Sequence, residues 1–362
     1  MNMCAPMRLK NSDRWVVNLN LNIVLTILIT ILVFGLLIFI HELGHFLVAK
    51  AMGIRVNEFA LGMGPRLFGF EKGETKYSLR LLPIGGYCAM EGEDSTSQDK
   101  RAFCNKPVWR RILVVIAGAL MNLLLGFILL IILVSTMNLV GTTKIAQFNE
   151  GAVSNRYLQE GDEILSINGS HVFIDNDIVY GLLRDRDGVV DMVVKRDGEK
   201  VKLSGVTFQT EDLGDGVTGT NIDFKVFGVE KTFFGVIKQS ACWTLSVVKL
   251  VWSSLIDLVT GQFGLNQLSG PVGVASAIGE ASTMGVRSLL LLVVFITVNL
   301  GVFNLLPIPA LDGGRLVFLV IEGIRRKPVK AEHEGWVHMI GFGLLMLLVV
   351  VVTFNDIVKL FQ

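Results

Sequence analysis

The stretch Leu21–Ile40, LNIVLTILITILVFGLLIFI, runs directly into His41-Glu42-Leu43-Gly44-His45. It carries no charge, and about 20 apolar residues suffice to cross a bilayer as a helix. If the helix continues through the pentapeptide, the two histidines share one face, with Glu42 beside them. Each imidazole can then offer a neutral ring nitrogen to one metal ion. His-Glu-x-x-His, with the glutamate as base, is the pattern of zinc metalloproteases. A soluble enzyme has no reason to place it in lipid. Ionisable residues inside a membrane helix are costly and mark function. The motif therefore predicts the metal centre of a protease that cuts within or beside the membrane. A chance occurrence in an ordinary span would leave that cost unexplained.

Composition agrees with a membrane setting. Of 362 residues, 51% are hydrophobic and only 18% charged, where a soluble domain carries about a quarter charged residues. Mean hydropathy is +0.57. This describes a polytopic membrane protein with room for one modest water-soluble domain. The net charge of +1 implies no nucleic-acid partner. Cys4, Cys88, Cys104 and Cys242 show neither a disulfide framework nor metal-ligand spacing. The first apolar run is too long for a signal peptide and lacks a small-residue cleavage site, so it reads as retained. Met1–Asn11 is expected to be unstructured.

Four charge-free stretches reach membrane length: Leu21–Ile40, Ile112–Val134, about Leu289–Leu306 and Trp336–Phe354. The segment between the first two is rich in Lys and Arg, and Arg315, Arg325, Arg326, Lys327 and Lys330 follow the third. The positive-inside rule puts both segments in the cytoplasm, with His41 and His45 at the cytoplasmic end of their span. Lys238–Gln262 is apolar but interrupted by Lys249 and Asp257, and reads as an amphipathic helix on the outer face. Were it to cross, Asp312 would lie on the opposite side of the membrane from His41.

Between the first two spans, Val56–Leu61, Arg66–Phe70, Lys76–Leu82 and Tyr87–Met90 are β-prone runs. They are separated by turn material at 62–65, 71–74 and 83–86. This predicts a small meander, either an ordinary cytoplasmic loop or a sheet dipping into the membrane. In the second span, Gly118-Ala119-Leu120-Met121-Asn122 places small and polar residues four apart. That spacing suits close helix packing, with Asn122 as a hydrogen bonder behind the site the sharper alternative. From Lys144 to Lys231 the balance shifts to 16 acidic against 10 basic residues, as in a soluble insert. Within it, Asn168-Gly169 reads as a turn and Arg196-Asp197-Gly198 as a hairpin turn. Gly161–Gly169 matches the Gly-Asp-x-Ile-x-x-Ile-Asn-Gly signature and so resembles a PDZ domain of the bacterial membrane-protease type, a fold that binds extended peptide by strand addition. A generic β domain that only restricts access is the plainer reading.

The third span ends in Asn304-Leu305-Leu306-Pro307-Ile308-Pro309-Ala310-Leu311-Asp312-Gly313-Gly314-Arg315. Its prolines break the helix. Asp312 is either a solvated carboxylate, paired with Arg315, or a metal ligand at the depth of the histidines. Two His, one carboxylate and an open position form a catalytic zinc set. His333 and His338 are expected to be solvated, and His171 to belong to the surface of the insert.

Taken together, His41–His45, Asn304–Gly313 and the inserted domain resemble the bacterial site-2 proteases of the RseP/RasP type from about residue 21 onward. The resemblance implies a polytopic α-helical membrane protein of four transmembrane helices, with a membrane-associated β-meander and an inserted PDZ-like α+β domain. It implies Zn²⁺ held by His41, His45 and Asp312, Glu42 as catalytic base, and Asn304, Pro307 and Pro309 at substrate. It places the protein in the bacterial plasma membrane, the PDZ-like domain extracytoplasmic and the active site near the cytoplasm. Its substrates would be single-span membrane proteins already trimmed by a site-1-type protease, such as anti-sigma factors, and remnant signal peptides. The chain then divides into a tail (1–20), the first span with the zinc motif (21–53), the meander (54–92), a linker and second span (93–140), the PDZ-like domain (141–231), the surface helix and loop (232–283), the third span with Asp312 (284–330) and the last span (331–362). The competing classes are an idle membrane scaffold recruiting partners through the PDZ-like domain and a metal transporter. Neither needs Glu42 beside the ligands.

Overall fold

The computed structural model describes residues 11–93, 95–185, 187–212, 218–261 and 268–360. The chain separates into two units, 1–126 with 256–362, and 127–255. Five helices are long and apolar enough to cross a membrane: Ile23–Ala51, Val108–Thr136, Phe233–Val259, Val286–Asn304 and Glu332–Lys359. Four lie where the expected spans lie. Phe233–Val259 covers the stretch read as a surface helix, and its mean hydropathy of 1.5 is the lowest of the five.

In the first unit, helix α1 (Asn11–Ala51) runs 41 residues without a break. It is described from Asn11, ahead of the expected boundary at residue 20. Residues 1–10 of the expected tail lie outside the described residues. The helix carries His41 and His45 and ends at Gly53, whose φ of +70° suits a left-handed cap. Strands β1 (Val56–Lys72) and β2 (Thr75–Met90) follow. Each is bent, at Gly62 and Gly64 (φ +86° and +83°) and at Gly85 (φ +78°), where the sequence shows turn material. The bends fold the hairpin beside itself. Phe59 pairs with both Cys88 and Tyr77, while Tyr77 also pairs with Phe70. The lateral order is therefore 86–90, 56–61, 75–80, 66–72. This corrects the meander expectation: alternation marks strand segments but does not select their partners. The far end of the sheet exposes Leu67, Phe68, Phe70, Leu81 and Leu82, an apolar patch of the kind that meets lipid or protein.

Glycines set how closely the helices pack. A Cβ at Gly44 would lie 2.5 Å from the Ala117 carbonyl of α2 (Val108–Thr136), and one at Gly126 would lie 2.7 Å from Val298 of α6 (Val286–Asn304). The same unit holds α5 (Pro271–Met284), α7 (Asp312–Arg325) and α8 (Ala331–Leu360). Ile54, Val56, Phe59, Phe103, Val114 and Leu319 form a shared core joining α1, the sheet, α2 and α7. The buried Arg111 meets Glu322 through both carboxylate oxygens, tying α2 to α7.

The second unit is a sheet of β10 (Phe224–Val229), β3 (Val140–Phe148), β4 (Glu163–Ile167), β6 (Val189–Arg196) and β7 (Glu199–Thr207) in that order, with β5 (Ser170–His171) on β4. A separate pair is β8 (Thr210–Asp212) with β9 (Thr218–Thr220). Both two-residue turns read from sequence are present, Asn168-Gly169 and Asp197-Gly198, each with φ positive at both residues. Helix α3 (Asp175–Leu183) adds Ile178 and Leu182 to a core of Ile145, Ile164, Val190 and Met192. Its Asp177 is buried and accepts hydrogen bonds from Phe173 N, Ile174 N and Ser246 Oγ, with Lys249 Nζ 3.2 Å away. Ser246 and Lys249 lie in the middle of α4 (Phe233–Val259), so that helix is bonded to α3 through polar groups.

Asp177→Ala is expected to destabilise this unit by about 2–4 kcal/mol, because three donors, two of them in buried bonds, lose their acceptor. Lys249 is 31% exposed and adds little. Hydrogen exchange on the full chain in detergent should quicken across α3 and the middle of α4. Unchanged protection there would contradict the assignment.

Candidate metal centre

Helical spacing puts the His41 and His45 rings on the face of α1 that meets α2, with centroids 4.8 Å apart. The approach is possible because residue 118 is glycine. A Cβ there would stand 2.3 Å from His45 Nε2 and 2.8 Å from His41 Cε1. Helix α2 also fixes both rings. His45 Nδ1–H donates to the Val114 carbonyl at 2.8 Å. The Asn122 side-chain amide, fully buried, lies 3.2 Å from His41 Nδ1. The nearer atom is Nδ2; exchanging the amide nitrogen and oxygen, which have the same shape, turns Oδ1, otherwise without a hydrogen-bond partner among the described residues, to accept the Nδ1–H. Both Nε2 lone pairs are then directed away from α2. The Asn122 carbonyl in turn accepts from Thr297 Oγ1 of α6 at 3.0 Å.

Asp312 arrives from the far end of the chain, in the first turn of α7. Gly313 and Gly314 allow that helix to begin against the preceding turn: a Cβ at 313 would stand 2.0 Å from the Leu306 carbonyl. Asp312 Oδ2 lies 3.2 Å from His41 Nε2 and 3.3 Å from His45 Nε2, and the two Nε2 atoms are 3.2 Å apart. Asp312 Oδ2 is buried and has no hydrogen-bond partner among the described residues. These atoms are one group that could hold a metal. With Nδ1 of each ring protonated, three acceptors converge on one point, an arrangement that suits a bound cation. A tetrahedral Zn²⁺ about 2.0 Å from each ligand would space them about 3.3 Å apart, so the donor set fits. Arg315, the simplest expected partner of Asp312, bonds instead to the side chain and carbonyl of Glu93.

A cavity of about 600 Å³ opens on this cluster, lined by His41, Glu42, His45, Asp312, Arg315 and the strand Gly86–Glu93. That strand is an edge of its sheet. Glu91 N bonds inward to Arg55, so the N–H groups of Cys88 and Gly86 point outward by alternation, while Met90 N–H donates to Glu93 Oε2 at 3.2 Å. The Glu42 side chain and the Cys88 backbone line the same cavity. Gly86 leaves room for Glu42, since a Cβ there would lie 3.1 Å from Glu42 Cγ. Burial and the neighbouring Glu42 push the Cys88 thiol above its usual range, so it stays protonated and unreactive. Asn304 and Pro309 are half-buried and Pro307 exposed, and none of the three lines this cavity. His338, expected to be solvated, accepts a hydrogen bond from Ala310 N–H. The sequence could not show that α8 docks against the Pro307–Leu311 loop. The Val114 carbonyl and the edge position of the Tyr87–Met90 strand also had no sequence signal.

A membrane helix presenting this donor set beside a glutamate defines a membrane metalloprotease, and comparison with known proteins places it. The sequence pattern of peptidase family M50 matches residues 29–348, and the chain belongs to that family, which is the site-2 protease family. The Regulator of sigma-W protease RasP of Bacillus subtilis is 33% identical, over 93% of this chain and 99% of its own length. Zinc metalloprotease RasP of Bacillus licheniformis is 34% identical over 93% and 99%. A Clostridium acetobutylicum protein reaches 38% over 92% and 97%. The chain is thus a multi-pass membrane zinc metalloprotease.

Gly118→Ala should displace both imidazoles. Metal analysis of the purified protein is expected to fall from about one zinc per chain, as a three-ligand site requires, to near none. Full retention of zinc would show that the helices can part at this point without cost.

Proposed function

We propose that the chain is an intramembrane endopeptidase in which His41, His45 and Asp312 hold Zn²⁺ and Glu42 is the general base. The convergence of the three ligand atoms at 3.2–3.3 Å, with Glu42 on the same cavity, carries this reading. When bound, zinc lowers the pKa of a water to about 7 and polarises a carbonyl. Glu42 takes the proton from the attacking water and returns it to the leaving amine. Val114 and Asn122 hold the imidazoles in the tautomer that leaves Nε2 unprotonated.

The substrate on this reading is the transmembrane segment of a single-span protein. Its helix must unwind before a carbonyl can be attacked, since helical carbonyls are already hydrogen-bonded. Pairing with the Gly86–Met90 edge offsets the lost bonds, and the cavity along that edge supports this docking mode. Asn304, Pro307 and Pro309 border substrate from the third span. Anti-sigma factors already trimmed by a site-1-type protease, and remnant signal peptides, are the proposed natural substrates, in keeping with the printed name of the Bacillus subtilis relative.

Four spans in the bacterial plasma membrane complete the reading, with the active site near the cytoplasm and the β-rich unit outside as a PDZ-like filter. Helix α4 then lies on the outer surface. The bonds of Ser246 and Lys249 to Asp177 support this, because a crossing helix would carry its midpoint into lipid. Its outward stripe of Leu245, Trp252, Ile256 and Val259 suits an interface.

Glu42→Gln is expected to keep its zinc and lose about 10²–10⁴-fold in cleavage of a truncated single-span substrate. Cleavage at the wild-type rate would defeat the assignment of the base. Thiol labelling of single cysteines should place Lys225 outside and Arg325 inside; labelling of both from one side would defeat the four-span topology.

A further inference from the structure

Two of the three proposed ligands have visible supports on α2, and the third has none within its own helix. Asp312 follows Pro307-Ile308-Pro309-Ala310-Leu311, a turn poor in donors because proline has no N–H. Ile308 N bonds to Leu306 O and Leu311 N to Ile308 O, both within the turn. Ala310 has φ +76°, a strained conformation for a non-glycine residue that persists only when its surroundings hold it. Its N–H leaves the turn and donates to His338 Nδ1 of α8 at 3.0 Å. One turn further along α8, Gly341 lets the helix press on the same loop: a Cβ there would lie 2.3 Å from Pro309 Cβ. The His338 ring sits 5.9 Å from Phe318 of α7. Glu334 lies on the same face, 3.9 Å from His338 Nε2 and 3.6 Å from Arg315 Nε. The residue is therefore seated between the Asp312 loop and the helix that begins at Asp312.

We propose that His338 is a positioning residue for the Asp312 carboxylate. It holds Ala310 in its left-handed conformation, and Ala310 sets the direction from which α7 starts and so the height of Asp312 above the imidazoles. For Nδ1 to accept, the ring proton must reside on Nε2. The last membrane helix thereby enters the metal centre without touching it. This inference rests on the proposed ligand set.

The test compares zinc affinity in purified full-length protein by chelator competition for wild type, His338→Phe and His338→Asn. Phenylalanine keeps the ring contact with Phe318 and removes the acceptor; asparagine places an acceptor oxygen near the Nδ1 position. His338→Phe is expected to bind zinc at least about tenfold more weakly, the usual scale for losing an outer hydrogen bond at a metal site, and His338→Asn to stay near wild type. The visible spectrum of the cobalt-substituted protein should change for His338→Phe and be restored by His338→Asn, which a purely bulk-filling role would not produce. Wild-type zinc affinity in His338→Phe, or equal loss in both variants, would overturn the proposal. His41→Ala and Asp312→Ala separate the two levels: if they lose zinc while His338→Phe does not, the ligand set stands and His338 has no part in it. If they retain zinc, the ligand set itself fails.

Discussion

The centre depends on the closeness of two helices at one point. Imidazoles on α1 can reach a common focus only if α2 presents no side chain beneath them, and Gly118 supplies that absence. The same close approach brings the Val114 carbonyl and the Asn122 amide within reach of the ring nitrogens that face α2. Steric clearance and ring orientation thus come from one stripe of one helix, at 114, 118 and 122. In a medium with little water, an unpaired imidazole N–H would be costly. The stripe removes that cost and sets the tautomer in the same contact.

The carboxylate reaches the focus by a different device. Helix α6 ends at Asn304, a proline-interrupted turn reverses the chain, and α7 starts at Asp312 with two glycines against that turn. The two halves of the centre are separated by most of the sequence, yet lie in one unit of the fold. Hydrogen bonds from Thr297 to the Asn122 carbonyl and from Arg111 to Glu322 tie the helices carrying them. The β hairpin, folded beside itself, brings its Gly86–Met90 edge along the cavity, beside Glu42.

Much of the framework was legible from local pattern. Apolar runs of span length located four helices, because the bilayer thickness fixes how many residues a crossing helix needs. Asn168-Gly169 and Asp197-Gly198 announced their turns, because few residue pairs tolerate two successive positive φ angles. The turn material at 62–65 and 83–86 became bends within two continuous strands, at Gly62, Gly64 and Gly85, and the pairing order of the resulting segments was not read. Alternation tells which side a residue faces and says nothing about which strand lies beside it. Phe233–Val259 shows the same limit: composition permits a span, and the contacts of Ser246 and Lys249 with Asp177 are non-local.

By itself, the sequence determined that a helix of membrane length carries two histidines on one face, and that a carboxylate follows a broken helix near the other end. Those facts follow from the rise and period of the α-helix and from the chemistry of proline, which act over a few residues. Only the tertiary structure decided that Asp312 Oδ2 stands 3.2–3.3 Å from both rings, that Arg315 turns to Glu93, and that His338 braces the Asp312 loop. These outcomes depend on how closely glycines let distant helices approach, a property of packing between segments that no local pattern encodes.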